Sequence, residues 1–251
     1  MLKQLLAPTL IYAAISTLGF SIISALFNVE YSDPKMQYLG ISFMLVSAAF
    51  VAYLLRGRLN LKAWNGSRRL PRHYRYALGV LSIATLVTFI AAPIEFALRG
   101  VLSPLIFAAA VLSLLIGFSE EGFFRKFILD HVSPSASLRS KATWLIASVL
   151  LFGLLHMTNV LSGMPVGAAL DQSIKAMPMG LVAGLIYLRT RAFVPLLLWH
   201  ASIDFTLFAN AQQPFYFGGF WGIIIDACVI LLTVFVIWDV IKALRTQRSG
   251  A

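Results

Sequence analysis

Eight mainly apolar stretches dominate this chain, at 5–27, 38–55, 76–98, 102–124, 143–161, 174–188, 193–209 and 217–238. A helix needs about 20 such residues to cross the hydrocarbon of a bilayer. In lipid a helix also satisfies its own backbone hydrogen bonds, which an irregular segment cannot. The pattern predicts an all-α polytopic membrane protein of about eight transmembrane helices. No internal repeat or low-complexity linker divides the stretches, so residues 1–251 read as a single helical membrane domain. Composition agrees: 59% of residues are hydrophobic and only 12% charged, and the mean hydropathy is +0.84. That balance excludes an ordinary soluble domain.

The charges that remain fall between the apolar runs. Lys and Arg outnumber Asp and Glu 20 to 10, but they form no amphipathic basic face, so no nucleic-acid partner is expected. With a cytoplasmic N-terminus, seventeen of the 20 basic residues lie in inner loops and termini, leaving Lys35, Arg99 and Lys175 outside. This asymmetry obeys the positive-inside rule and predicts both termini cytoplasmic. The basic loop from Arg56 to Arg75 acts as a topology signal or, with Trp64, Tyr74 and Tyr76, as a contact for anionic headgroups. The first apolar run is longer than a signal-peptide core, which predicts a retained first helix. The absence of an organelle-targeting segment points to a bacterial plasma membrane. Cys228 is the single cysteine, so neither a disulfide nor a paired-cysteine metal site is available.

Inside these runs sit residues that are costly there. They are Glu120, Glu121 and Arg125 in SEEGFFRK, His156 in FGLLH, and His200 with Asp204 in LWHASID. A charged side chain near the bilayer centre costs roughly 2.5 to 17 kcal/mol, so such residues mark function by default. Glu121 and Arg125 stand at i and i+4 and can pair. Glu120, about 100° away around the helix, is left without that partner. His200 and Asp204 share a face, as do Phe152 and His156. Asp204 therefore either hydrogen-bonds His200 or acts as a separate acceptor. Counting ~1.5 Å per residue places His156 about 20 Å, His200 about 12 Å and Asp204 about 18 Å from the cytoplasmic helix starts. These depths predict one polar cavity open towards the cytoplasm. Glu95 with Arg99 reads as a structural ion pair, and Gly180 with Gly184 as a close-packing GxxxG. Asp226 has no partner in the sequence. No GxSxG is present to support a serine nucleophile.

At these residues the chain resembles the CPBP family, the CAAX-protease and bacteriocin-processing group also called Abi. The family pattern runs EExxxR, FxxxH and HxxxN or HxxxD on separate helices. Here it reads EEGFFR at 120–125, FGLLH at 152–156 and HASID at 200–204, a span of residues 120–204 within a catalytic core of about 102–209. The resemblance implies a glutamate-type intramembrane endopeptidase. Glu120 would activate a water, His156 would position or deprotonate it, and His200 with Asp204 would stabilise the oxyanion. Glu121 and Arg125, with Phe152, would be supporting residues. Asp204 replaces the Asn of the eukaryotic CAAX-processing branch. An ionised carboxylate repels an oxyanion, so Asp204 is either protonated or serves to orient His200. This departure bears on prenylated-CAAX specificity more than on hydrolysis.

Two other readings compete. Two His and a carboxylate would suit a catalytic zinc with an open fourth position, although no HExxH is present; a metal-free site is the preferred expectation. A non-proteolytic protein, giving immunity to a secreted peptide or acting as scaffold or transporter, would use the same pocket. The expected partners are a peptide or protein substrate and the lipid bilayer, with no cofactor.

Overall fold

The computed structural model describes residues 2–31, 33–57 and 70–249. Eight α-helices make up the described chain: α1 (Leu2–Phe27), α2 (Pro34–Leu54), α3 (Arg72–Leu98), α4 (Leu105–Glu121), α5 (Leu138–Met157), α6 (Val166–Thr190), α7 (Val194–Gln212) and α8 (Tyr216–Ser249). No strand occurs among the described residues. Six of the helices (α1–α5 and α8) are long and apolar enough to cross a membrane by length and composition. The other two, α6 and α7, carry the polar residues Asp171, Gln172 and Lys175, and His200 and Asp204.

The surface is the reverse of a soluble protein's. Leu98, Leu26 and Ile223 are 82%, 73% and 69% exposed, while Glu121 and Arg125 are fully buried. Apolar side chains facing outward and polar groups facing inward is the arrangement a lipid solvent rewards. Buried hydroxyls return to their own helices: Ser82 donates to the Leu78 carbonyl and Ser113 to that of Ala109.

Consecutive helices alternate in direction. One end of the bundle holds the N-terminus, Arg56, Arg72, residues 129–137 and 191–193, and the end of α8; we call it the basic end. The opposite end holds residues 28–33, 99–104, 158–165 and 213–215. Basic residues 58–69, with Trp64, lie outside the described residues, so the headgroup reading of that loop rests on sequence alone.

Helices α4 and α7 pack as the central pair; α2 lies against α4, α3 against α7 and α8, and α6 against α5. A Cβ at Gly117 would stand 2.8 Å from the Leu197 carbonyl oxygen, so α4 and α7 touch backbone to backbone. The GxxxG of α6 is a close-packing surface as expected: a Cβ on Gly184 would overlap the Leu145 side chain of α5. The predicted limits of α6 were too short, because Asp171, Gln172 and Lys175 interrupt the apolar pattern of its first turns. Glu95 pairs with Arg99 at 2.8 Å, as the spacing predicts. It also accepts hydrogen bonds from the backbone N–H groups of Tyr216 and Phe217. The ion pair thus caps the start of α8.

Candidate active site

The EE motif ends a regular helix. From Gly122 to Ile128 the chain widens into a π-helical segment before a short 3₁₀ turn. Such π segments often mark functional sites. Two contacts explain how this one is held. Ser148 on α5 donates to the Phe124 carbonyl, satisfying an acceptor inside the widened turn. Beyond it, Arg191 donates to the Leu129 and Val132 carbonyls and to Asp130, which also receives the Tyr187 hydroxyl. Arg191, with φ +55, ends α6. This clasp joins the segment after Glu121 to the segment before His200, fixing α4 and α7 in register.

The clasp and the Gly117 contact bring the motif residues together. Arg125 Nε lies 3.1 Å from Glu121 Oε2, with both side chains buried. The His200 Nδ1–H donates to Glu121 Oε1 at 2.9 Å. His200 Nε2 stands 3.6 Å from both Glu120 Oε2 and Asp204 Oδ2. At this distance neither contact is a hydrogen bond. The reading in which Asp204 holds His200 by a hydrogen bond is therefore replaced: Glu121 holds the ring, and Asp204 is a separate group beside it. Sequence spacing linked Glu121 only to Arg125, because a partner 79 residues away leaves no local signal.

His156 occupies the last turn of α5. Its Nδ1 lies 2.8 Å from the Phe152 carbonyl, and since a carbonyl only accepts, Nδ1 carries the proton. Nε2 of the neutral ring then bears the lone pair. Phe152 is the wedge of the site. Its ring meets those of His156 and His200 edge-on at 5.0 and 5.9 Å, and the Arg125 guanidinium lies 4.5 Å from its centre. A cation over an aromatic face is attracted by the ring quadrupole. A Cβ on Gly180 would come within 3.0 Å of Phe152, so that glycine leaves room for the wedge.

Glu120, His156, His200 and Asp204 line one cavity of about 200 Å³. Glu120 and Asp204 keep 14% and 20% side-chain exposure. Among the described residues, Glu120 Oε2 and Asp204 Oδ2 lack hydrogen-bond partners. The structure therefore separates a tied trio (Glu121, Arg125, His200 Nδ1) from accessible groups (Glu120, Asp204, His156). No three His, Cys, Asp or Glu side chains among the described residues converge as a metal-binding set. A zinc site would require these side chains to rearrange.

The cavity does not open where depth counting put it. Its floor towards the basic end is closed by buried aromatics, with Tyr12 stacked on Phe123 at 4.1 Å and Phe124 edge-on to both. Its walls rise instead through Tyr31, Thr158, Asn159 and Gln172, at the opposite end. The cause is stagger. The chain runs on for seven π-helical residues beyond Glu121 before reaching the basic end, while His156 lies one residue from the far end of α5. Sequence reasoning also missed Asn159 and Gln172, whose amides hydrogen-bond at 2.8 Å in the wall. Burial pushes the Tyr31 phenol up to about 12, so it lines the rim as a neutral hydroxyl. Asp226 does not reach this cavity; it borders a separate groove with Thr88, Ser202 and Thr206.

No curated protein and no solved structure matches the chain. Residues 102–206 match the model of the Rce1-like family, described as type II CAAX prenyl endopeptidase Rce1-like. The matched segment, somewhat under half of the chain, contains every motif residue of the cluster, so the chain is similar to this family over the helices that build the site.

Proposed function

We propose that this protein is an intramembrane endopeptidase that hydrolyses a peptide bond with water activated by Glu120 and His156. One observation carries the reading: Glu120, His156 and His200 line a single cavity. A water between Glu120 and His156 gives its proton to Glu120 as its oxygen attacks the peptide carbonyl. General-base help of this kind is worth about 10²–10⁴ in rate. The carbonyl oxygen becomes an oxyanion, which preorganised donors stabilise.

His200 supplies that donor through Nε2–H. Because Nδ1–H is already committed to Glu121, the ring does so as the doubly protonated imidazolium. Two cations, His200 and Arg125, then balance two carboxylates, Glu121 and Glu120. Asp204 completes the balance as a neutral carboxylic acid, which donates a second hydrogen bond to the oxyanion. On collapse the C–N bond breaks and Glu120 returns its proton to the leaving nitrogen, giving a carboxylic acid and an amine; the acid then ionises and the amine takes up its proton.

The family description names prenyl endopeptidases; peptide-bond hydrolysis is the part of it we carry to this chain. We place all eight helices across a bacterial plasma membrane with both termini cytoplasmic, on the strength of the basic residues gathered at one end. The deciding experiment is mass spectrometry of membrane-extracted peptides incubated with purified wild type, Glu120→Gln or His156→Ala, each with and without chelator. Cleavage by wild type alone, insensitive to chelator, is the expected result. Equal cleavage by all three proteins overturns the assignment, and loss with chelator moves the mechanism to a metal.

A further inference from the structure

The end of the bundle at which the cavity opens bears on what can enter it. Two cavities lie in series. The first holds the motif residues; the second, also about 200 Å³, reaches Asp33, Met164 and Ala211 at the end away from both termini. They share Phe20, Tyr31, Leu207 and Phe208 as walls. The motif cavity itself is walled by Tyr31, Thr158 and Asn159, so it lies against the surface formed by residues 28–33 and 158–165, where the Tyr31 N–H donates to the Ser162 carbonyl. In the other direction Tyr12, Phe123 and Phe124 close the floor.

The two ends differ sharply in charge. Among the described residues, 13 of the 16 Lys and Arg belong to the floor side, and Lys35, Arg99 and Lys175 to the mouth side. Of those three, Arg99 pairs with Glu95 and Lys175 with Asp171. Positive-inside bias therefore puts the floor at the cytoplasm and the mouth on the other face. The walls are also one-signed. Together the described residues lining both cavities include Asp33, Glu120 and Asp204 but no Lys or Arg. A free C-terminal carboxylate arriving beside the scissile bond meets no lysine or arginine there; the His200 charge is already matched by Glu121 and Glu120, and Asp33 stands on the way in. The rest of the wall is uncharged beside the two histidines: neutral polar groups at Thr158, Asn159 and Gln172, and apolar side chains at Phe20, Met44, Ile116 and Leu155.

We propose that the site is loaded from the non-cytoplasmic face, and that its substrate is an apolar peptide segment, neutral or cationic, presented there. Proteolysis at this cavity is assumed from the preceding section, but the direction of loading is tested without it. Wild type, whose Cys228 is buried, serves as the blank for single-cysteine labelling with a membrane-impermeant maleimide. Thr158→Cys and Gln172→Cys report the cavity mouth, Gln213→Cys the mouth-side surface and Ser135→Cys the floor-side surface.

In intact cells the first three should label and Ser135→Cys should not; in inverted vesicles Ser135→Cys should label. Labelling of Ser135→Cys in intact cells, or of the two mouth variants only in inverted vesicles, overturns the proposal. For the substrate, an apolar fluorogenic peptide is offered to detergent-solubilised wild type with a C-terminal amide or a free acid. Faster cleavage of the amide supports the charge argument, and a preference for the acid overturns it. If neither peptide is cut and Glu120→Gln behaves as wild type in the proteomic assay, the protease reading fails. The labelling result then still decides which face the cavity opens on.

Discussion

Glu120 and Glu121 are adjacent and chemically identical, yet the structure gives them opposite duties. Glu121 is buried between Arg125 and His200, so removing its charge strands a buried cation. Breaking a buried pair in this way costs about 3–5 kcal/mol. Glu121→Ala should therefore lower the melting temperature in detergent and abolish turnover together. Glu120 has no such tie. Glu120→Gln should lose about 10²–10⁴ of the rate and lower the melting temperature far less than Glu121→Ala does. Turnover and thermal unfolding measured on the same preparations check the contrast. Asp204 offers a finer test: if it works as a neutral acid, Asp204→Asn keeps a donor there and retains most turnover, whereas Asp204→Ala loses it. The i, i+4 spacing made Glu121–Arg125 legible in the sequence and left Glu120 free. The role of Glu121 towards His200 was not legible, because it spans two helices far apart in the chain.

At the scale of elements, α4 and α7 meet where Gly117 lets backbone approach backbone. A methyl group there must push against the Leu197 carbonyl, a backbone atom that cannot rotate aside. Overpacking of this kind costs about 1–3 kcal/mol. Gly117→Ala should reduce stability and, by separating Glu121 from His200, reduce turnover as well. Glu95 makes the complementary case. It caps α8 and pairs with Arg99 at the mouth-side surface, away from the cluster. Glu95→Ala should cost about 0.5–2 kcal/mol, the range for a lost cap, with kcat unchanged; thermal unfolding beside turnover reads both. Helix number, order and direction were legible from apolar length. The π-helical turn after Glu121 was not, since it arises from contacts with Ser148 and the Arg191 clasp. Neither lies close to it in the chain.

For the whole molecule, the charge asymmetry predicts that alkaline phosphatase fused to either end is inactive and that green fluorescent protein fused there is fluorescent. The opposite pattern at either terminus would invert the bundle. Apolar periods and the distribution of Lys and Arg are one-dimensional quantities, and membrane insertion responds to them directly. The sequence by itself therefore determined an all-helical membrane protein, its basic end, and the residues worth watching. Stagger is a different kind of quantity. How far α5 runs before it ends, where the π segment carries Glu120, and which aromatics fill the floor depend on side chains packing across helices. Only the tertiary structure could decide that His200 answers to Glu121, that Asp204 stands apart, and that the cavity opens away from the basic end. Each is a distance between residues that no local pattern links.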